Sequence, residues 1–292
     1  MITDRRPKAV LRTYPNWFYI PAMVVFVVFF LAPTAMSFYF SLTRWTLFNH
    51  TYIGLENYRM FLRDPQLMSG LRHTIFYAVV TSGSKVMISL PLAMLLTSRL
   101  RLRGLFRGIV FFPTLVSTIA VGITFSALMQ PSAGLINTAL RSLGIQGPYW
   151  LGDPGLALTS VALVDIWQGL GIATVIFIAG IVSIPQDYFD TARLEGGAWV
   201  EFFHVILPLS RNATFTVILL SFIGGLRRFD LIWAMTHGGP GFASDVLTSV
   251  VFKEYQAGFY GLSTAGNVVL FILVALIIYP LMLFFNRREI EL

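Results

Sequence analysis

The sequence predicts an all-α fold, a polytopic membrane bundle of six transmembrane helices, and three observations carry that expectation. Of 292 residues, 56% are hydrophobic and 12% charged, the mean hydropathy is +0.72, and charge-free stretches are long enough to cross a bilayer. Basic residues gather in short clusters beside those stretches, as the positive-inside rule expects. The formal charge of +7 therefore reads as topology, with no nucleic-acid partner. With no cysteine in the chain, disulfide frameworks, thiolate metal sites and a cysteine nucleophile are excluded.

Residues 1–16 carry Arg5, Arg6, Lys8 and Arg12 against Asp4, and the first span follows at about 17–40 without a charge. As a helix it is about 36 Å long, too long for the apolar core of a signal peptide. A polar connection from Arg44 to Gly70 contains YIGLENYRMFLRDP. The second span is about 71–97 and contains Lys85; SRLRLRGLFR follows, with Arg99, Arg101, Arg103 and Arg107. The third span, about 108–129, leads into a Gly- and Pro-punctuated loop, and the fourth, about 155–182, includes Asp165, Trp167 and Gln168. The fifth, about 209–235, is apolar to Leu226 and then meets Arg227, Arg228 and Asp230 before Trp233. The sixth, about 262–285, ends on Asn286, Arg287 and Arg288. The whole is one transmembrane domain, 1–292. Six spans place both termini on one side. With Arg211 and Arg72 at the cytoplasmic and opposite edges of their spans included, twelve Lys and Arg fall in the termini and even-numbered loops against six in the opposite segments, which makes the termini and the loop 183–208 cytoplasmic.

That loop, SIPQDYFDTARLEGGAWVEFFHVILP, is the one long polar interruption that reads as a docking surface. Ser183 is placed to cap a helix beginning at Ile184 and Pro185, with Gln186 completing a capping box. Asp187 and Asp190 sit near the helix's positive end. Tyr188 and Ala192 share one face, Phe189 and Arg193 the next. Gly196-Gly197 supplies the stop, and a second helix, Trp199 to Ile206, ends before Pro208. Aromatic anchors with an acidic rim suit a protein interface.

Chemistry of the enzymatic kind is absent. There is no GxxxxGK[ST] run, no Gly-Lys dipeptide, no HExxH and no GxSxG, and the four histidines are scattered. The intramembrane charges are the better leads, because burying one is costly enough that it usually faces a cavity or a partner. Lys85 has two readings, pairing with Asp165 or with another subunit. Arg227, Arg228 and Asp230 also have two, the wall of a polar path with Phe229 and Trp233, or interfacial anchors.

The run DTARLEGG followed by ILP resembles the signature of permease subunits of bacterial ATP-binding cassette importers. Asp190, Thr191 and Ala192 stand at the Glu-Ala-Ala positions, Gly196 at the glycine, and Ile206, Leu207 and Pro208 at the end. Asp190 and Thr191 depart from the pattern. FYFSLTRW, YIGLENY and THGGPGFASDVL resemble the carbohydrate type typified by the maltose and glycerol-3-phosphate permeases, with His237 replacing a glycine. The resemblance covers nearly the whole chain. It implies a sugar, polyol or glycerol phosphate importer of the bacterial inner membrane, working by alternating access with a second homologous permease, two copies of an ATPase and an extracytoplasmic binding protein. It makes Asp187, Tyr188, Asp190, Thr191, Ala192, Arg193 and Gly196 the ATPase-docking residues, with ATP-Mg in the partner and no cofactor or metal on this chain. The rival readings are an ion-coupled secondary carrier and a membrane-bound enzyme.

Overall fold

The computed structural model describes residues 16–46, 48–98 and 100–286. Arg5, Arg6, Lys8, Arg12, Arg99, Arg287 and Arg288, counted above toward the cytoplasmic side, lie outside the described residues.

A first apolar rod is built from a 3-10 turn, Asn16–Tyr19, then α1 (Ile20–Phe26), a π-helical turn (Val27–Leu31) and α2 (Ala32–Ser41). It is the least buried span. A hairpin of β1 (Thr43–Trp45) and β2 (His50–Tyr52), in antiparallel register with Arg44 opposite Thr51, leads to α3 (Glu56–Arg63). The second span, α4 (Pro65–Thr97), begins six residues before the expected start. The Asp64 carboxylate accepts hydrogen bonds from the Gln66 and Leu67 amides at 2.7 and 3.2 Å, and Pro65 occupies the first turn, so the helix starts on a complete cap.

The third span is not one rod. α5 (Arg103–Leu115) and α6 (Thr118–Leu128) meet at 97°. The break follows Pro113, with Val116 in extended conformation, and Gln168 stitches it to the next span. The Gln168 amide donates to the Val116 carbonyl at 3.0 Å, and the Thr114 hydroxyl donates to the Gln168 carbonyl at 2.9 Å. After α7 (Leu135–Ser142) comes α8 (Ala157–Val182), the most buried of the long helices.

The loop 183–208 forms α9 (Gln186–Glu195), α10 (Gly197–Val200), a π-helical turn (Glu201–Ile206) and α11 (Leu207–Leu209). The expected cap is absent. Pro185, not Ser183, precedes the first helical residue, and the Ser183 hydroxyl donates to the Gly180 carbonyl at 2.8 Å, closing α8 instead. The second helix also runs through Pro208 rather than ending before it. It bends by 63° into α12 (Arg211–Leu226). The expected fifth span breaks again after Leu226, and α13 (Asp230–Thr236) is a separate helix, followed by α14 (Leu247–Gln256) and α15 (Tyr260–Asn286). Among the described residues, four helical stretches are long and apolar enough to cross a membrane, or up to six if each bent pair is one span.

α4 lies at the centre, packed on α8 and α12; α5 rests on α8, α6 on α13, and α2 and α14 on α15. Of three buried clusters, one is centred on Tyr77, Val161 and Leu231, one on Phe61, Leu67 and Leu247, and one on Phe177, Phe189 and Val205 at the docking end.

Candidate functional site

Two sites are built along α4 and α8, one beside the loop 183–208, where α12 joins them, and one deep among the spans, which Arg228 completes from just past the end of α12. At the docking end, α9 turns Phe189 and Ala192 inward, at 8% and 4% exposure, against Leu90 and Ala93 of α4, Phe177 and Ile181 of α8 and Val217 of α12. The expected pairing of faces is corrected by this. Tyr188 is about half exposed while Ala192 is buried, because the inward positions are spaced i, i+3 and not i, i+4. Outward face Asp187, Tyr188, Asp190, Thr191 and Arg193. Asp190 accepts from Gln186 and Arg193, both at 3.2 Å, and Arg193 also lies 3.6 Å from Glu201. Leu194 at 90% and Trp199 at 75% exposure place large apolar groups on the charged face, and Trp199 stacks on Phe203 at 5.7 Å. A cavity of about 930 Å³ opens between the ends of α4 and α8 and the α9 carboxylate-arginine group.

The turn is made by the second glycine. Gly197 has φ +70° with open space around it, whereas a Cβ on Gly196 would lie 2.3 Å from a Val200 methyl. Gly196 is thus confined by a neighbour, and Gly197 by its backbone.

Deeper in the bundle, Asp165 of α8 is fully buried between two cations. Lys85 of α4 donates to one carboxylate oxygen at 3.0 Å, and Arg228, beyond the end of α12, donates to the other. Gly169, one turn after Asp165, leaves the room that the Lys85 stem occupies: a Cβ there would lie 2.5 Å from Cε. Of the two readings of Lys85, the structure takes pairing with Asp165. The Thr248 hydroxyl donates to the Arg228 carbonyl at 2.7 Å, fixing the α12–α13 break. Arg227 and Asp230 are exposed, so the expected charge group divides: Arg228 turns inward and the other two outward. Trp233 stays beside them, stacked on Phe229 at 5.5 Å and edge-on to Phe252 at 5.0 Å.

The loop after α13 is tightly folded. His237, at the position noted as glycine-like, has φ +53°, and Phe242 has φ +71°, conformations that favour glycine or asparagine. The Ser244 hydroxyl donates to Thr236 at 2.8 Å. Asp245, fully buried, accepts from Ser249 at 2.7 Å and Lys253 at 2.6 Å. Sequence reading missed this anchor, although an Asp with a Ser four and a Lys eight residues later on one helical face was the available signal.

Residues 85–290, which hold the loop 183–208 and all three members of the buried charge cluster, match the family described as the binding-protein-dependent transport system inner membrane component. The trehalose/maltose transport system permease protein MalF of Thermococcus litoralis is 32% identical over 87% of this chain and 88% of its own length. The probable ABC transporter permease protein YurN of Bacillus subtilis is 31% identical over 94% and 97%. Among solved structures, a bacterial ABC transporter involved in the import of the acidic polysaccharide alginate superposes with a TM-score of 0.79 at 18% identity, covering 94% of this chain and 95% of that one. That likeness is one of fold.

Proposed function

The chain belongs to the family of binding-protein-dependent transport system inner membrane components, and from that premise we propose that it lines half of the translocation path of an ATP-driven sugar importer. A second, related permease supplies the other half, and two ATPase subunits dock on the loop 183–208. Family membership removes the secondary-carrier reading, because an ion gradient has no use for a docking loop. Relatives named for trehalose/maltose, multiple-sugar and sn-glycerol-3-phosphate transport support a sugar or related polyol as the cargo. ATP is hydrolysed by the partner, as the missing P-loop requires, and solute arrives on an extracytoplasmic binding protein. The proposed topology has six spans, with both termini and the docking loop in the cytoplasm of a bacterial plasma membrane.

The observation that carries the proposal is the seating of the polar-faced α9 on apolar side chains of α4, α8 and α12 at once. Close-packed interiors shift as discrete bodies rather than deforming smoothly. A push on Asp187, Tyr188 and Asp190 therefore moves all three helices, and α4 and α8 meet again at Lys85 and Asp165, with Arg228 just past the end of α12, about 24 Å along α8 from Ile181 to Asp165. In this mechanism ATP binding closes the ATPase pair, α9 moves with it, and the bundle exchanges inward for outward opening by differential contacts in the two states. Arg227, Asp230, Trp233 and the accessible flank of Arg228 then offer hydrogen-bonding groups and an aromatic face to the solute.

The test is purification of the tagged chain from its native membrane. A P-loop ATPase and a second permease should accompany it, and the reconstituted complex should take up sugar with ATP and the binding protein. Uptake driven by an ion gradient in the absence of ATP would overturn the reading.

A further inference from the structure

Away from the docking loop, at the opposite end of α4, three cavities lie in a row along the seam of α2 and α15. The first, about 800 Å³, is walled by Arg44, Trp45, Arg63, Asp64, Glu254 and Phe259. The second, about 390 Å³, shares Trp45 with it and is otherwise lined by Pro33, Met36, Ser37, Phe40 and Thr264. The third, about 300 Å³, shares Pro33 and Ser37 with the second and reaches Phe271. From Gly261 to Phe271 the row descends about 15 Å along α15.

The charges of the first cavity are unspent. Among the described residues, none of Arg44, Arg63, Asp64 and Glu254 forms an ion pair. Asp64 gives one oxygen to the α4 cap. Burial, and then the neighbouring Asp64, push the Glu254 carboxyl above the usual carboxylate range. Two guanidinium groups without an anion and two carboxylates without a cation, around one cavity, are the complement of a zwitterion. The groove leading from them is the complement of an alkyl chain, and it opens sideways on Met36 and Phe271, both more than half exposed on helical stretches long and apolar enough to cross a bilayer.

We propose that this row binds one zwitterionic phospholipid of the leaflet opposite the docking loop. Its phosphate lies between Arg44 and Arg63, which are suited to bidentate contact. Its ammonium lies toward Asp64 and Glu254, its glycerol against Trp45 at the interfacial level where tryptophan is favoured, and one acyl chain in the α2–α15 seam. A saccharide would use the Trp45 and Phe259 faces but would leave the groove empty, so the groove decides for lipid. The proposal requires only that the chain sits in a bilayer and stands apart from the importer reading.

Native mass spectrometry of the full chain in detergent, titrated with palmitoyl-oleoyl-phosphatidylethanolamine or the matching phosphatidylglycerol, tests it. One phosphatidylethanolamine should be retained in preference to phosphatidylglycerol. Arg44→Glu with Arg63→Glu should weaken retention by roughly fivefold per arginine, the scale of one basic residue at a membrane surface. Thr264→Trp, which fills the groove and leaves the charges alone, should weaken it too. Arg44→Gln with Arg63→Gln gives the charge reading if the reversal impairs folding. Equal retention of both lipids by wild type and variants would overturn the proposal. So would displacement by trehalose, which would make this a saccharide pocket, or by free phosphoethanolamine, which would make it a site for a soluble zwitterion.

Discussion

Asp165 holds two cations, and that inequality makes a sharp prediction at the scale of single residues. Removing one partner of a buried pair costs about 3–5 kcal/mol because the other is left uncompensated. Asp165→Asn strands both Lys85 and Arg228, whereas Lys85→Met leaves Asp165 its bond to Arg228. Thermal unfolding of the purified chain should show the larger loss for Asp165→Asn; equal losses would mean that Arg228 is not a true partner. Glu254 gives a second prediction. Its raised carboxyl favours the protonated form in the folded state, so the stability linked to its proton is present below the ordinary carboxylate range and is lost as pH rises through the raised value. Glu254→Gln in lipid-free detergent should therefore raise the unfolding temperature near neutral pH, with the advantage vanishing in acid. An advantage that persists in acid would assign the gain to packing. Sequence alone marked Lys85, Asp165 and Arg228 as intramembrane charges, by residue type and apolar surroundings. It could not bring Arg228 to Asp165, because that contact depends on where α12 breaks, and a run of three charges does not say which of them turns inward.

At the scale of elements, the loop 183–208 was legible as a helical interruption with aromatic and acidic residues, and its inner workings were not. The π-helical turn Glu201–Ile206 shifts Val205 and Ile206 onto the core and carries the helix through Pro208, an outcome set by tertiary packing that no local propensity encodes. The two glycines can be separated by experiment. Gly197→Ala should cost roughly 1–2 kcal/mol through its left-handed backbone, and no neighbouring truncation should recover it. Gly196→Ala, which meets Val200, should cost nothing further in a Val200→Ala background. Recovery of Gly197→Ala in that background would refute the backbone account. On the outer face, Asp190→Lys replaces an acceptor shared by Gln186 and Arg193 with a like charge beside Arg193. It should reduce ATPase recovery in a detergent pull-down while membrane insertion is unchanged, and undiminished recovery would remove Asp190 from the interface.

For the whole molecule, the all-helical membrane character was readable from composition, but the continuity of the long apolar runs was not. The third run is bent after Pro113, with Gln168 closing the gap, and the fifth is bent at its start, between Leu209 and Arg211, and interrupted again after Leu226, where charges resume. The absence of cysteine allows the proposed topology to be read with single introduced thiols: Gln146 should label with an impermeant reagent from outside, and Arg101 and Glu201 should not. The reversed pattern would move the docking loop to the wrong side for an ATPase. The most direct test of the central claim is a photo-crosslinking residue placed at Tyr188, on the outward face of α9, in the native membrane, with the same residue at Gln146 as control. Tyr188 should capture a single product containing a P-loop ATPase, and Gln146 should not. Capture of the ATPase from Gln146, or its failure from Tyr188 in a complex that still transports, would contradict the assignment of 183–208 as the docking loop.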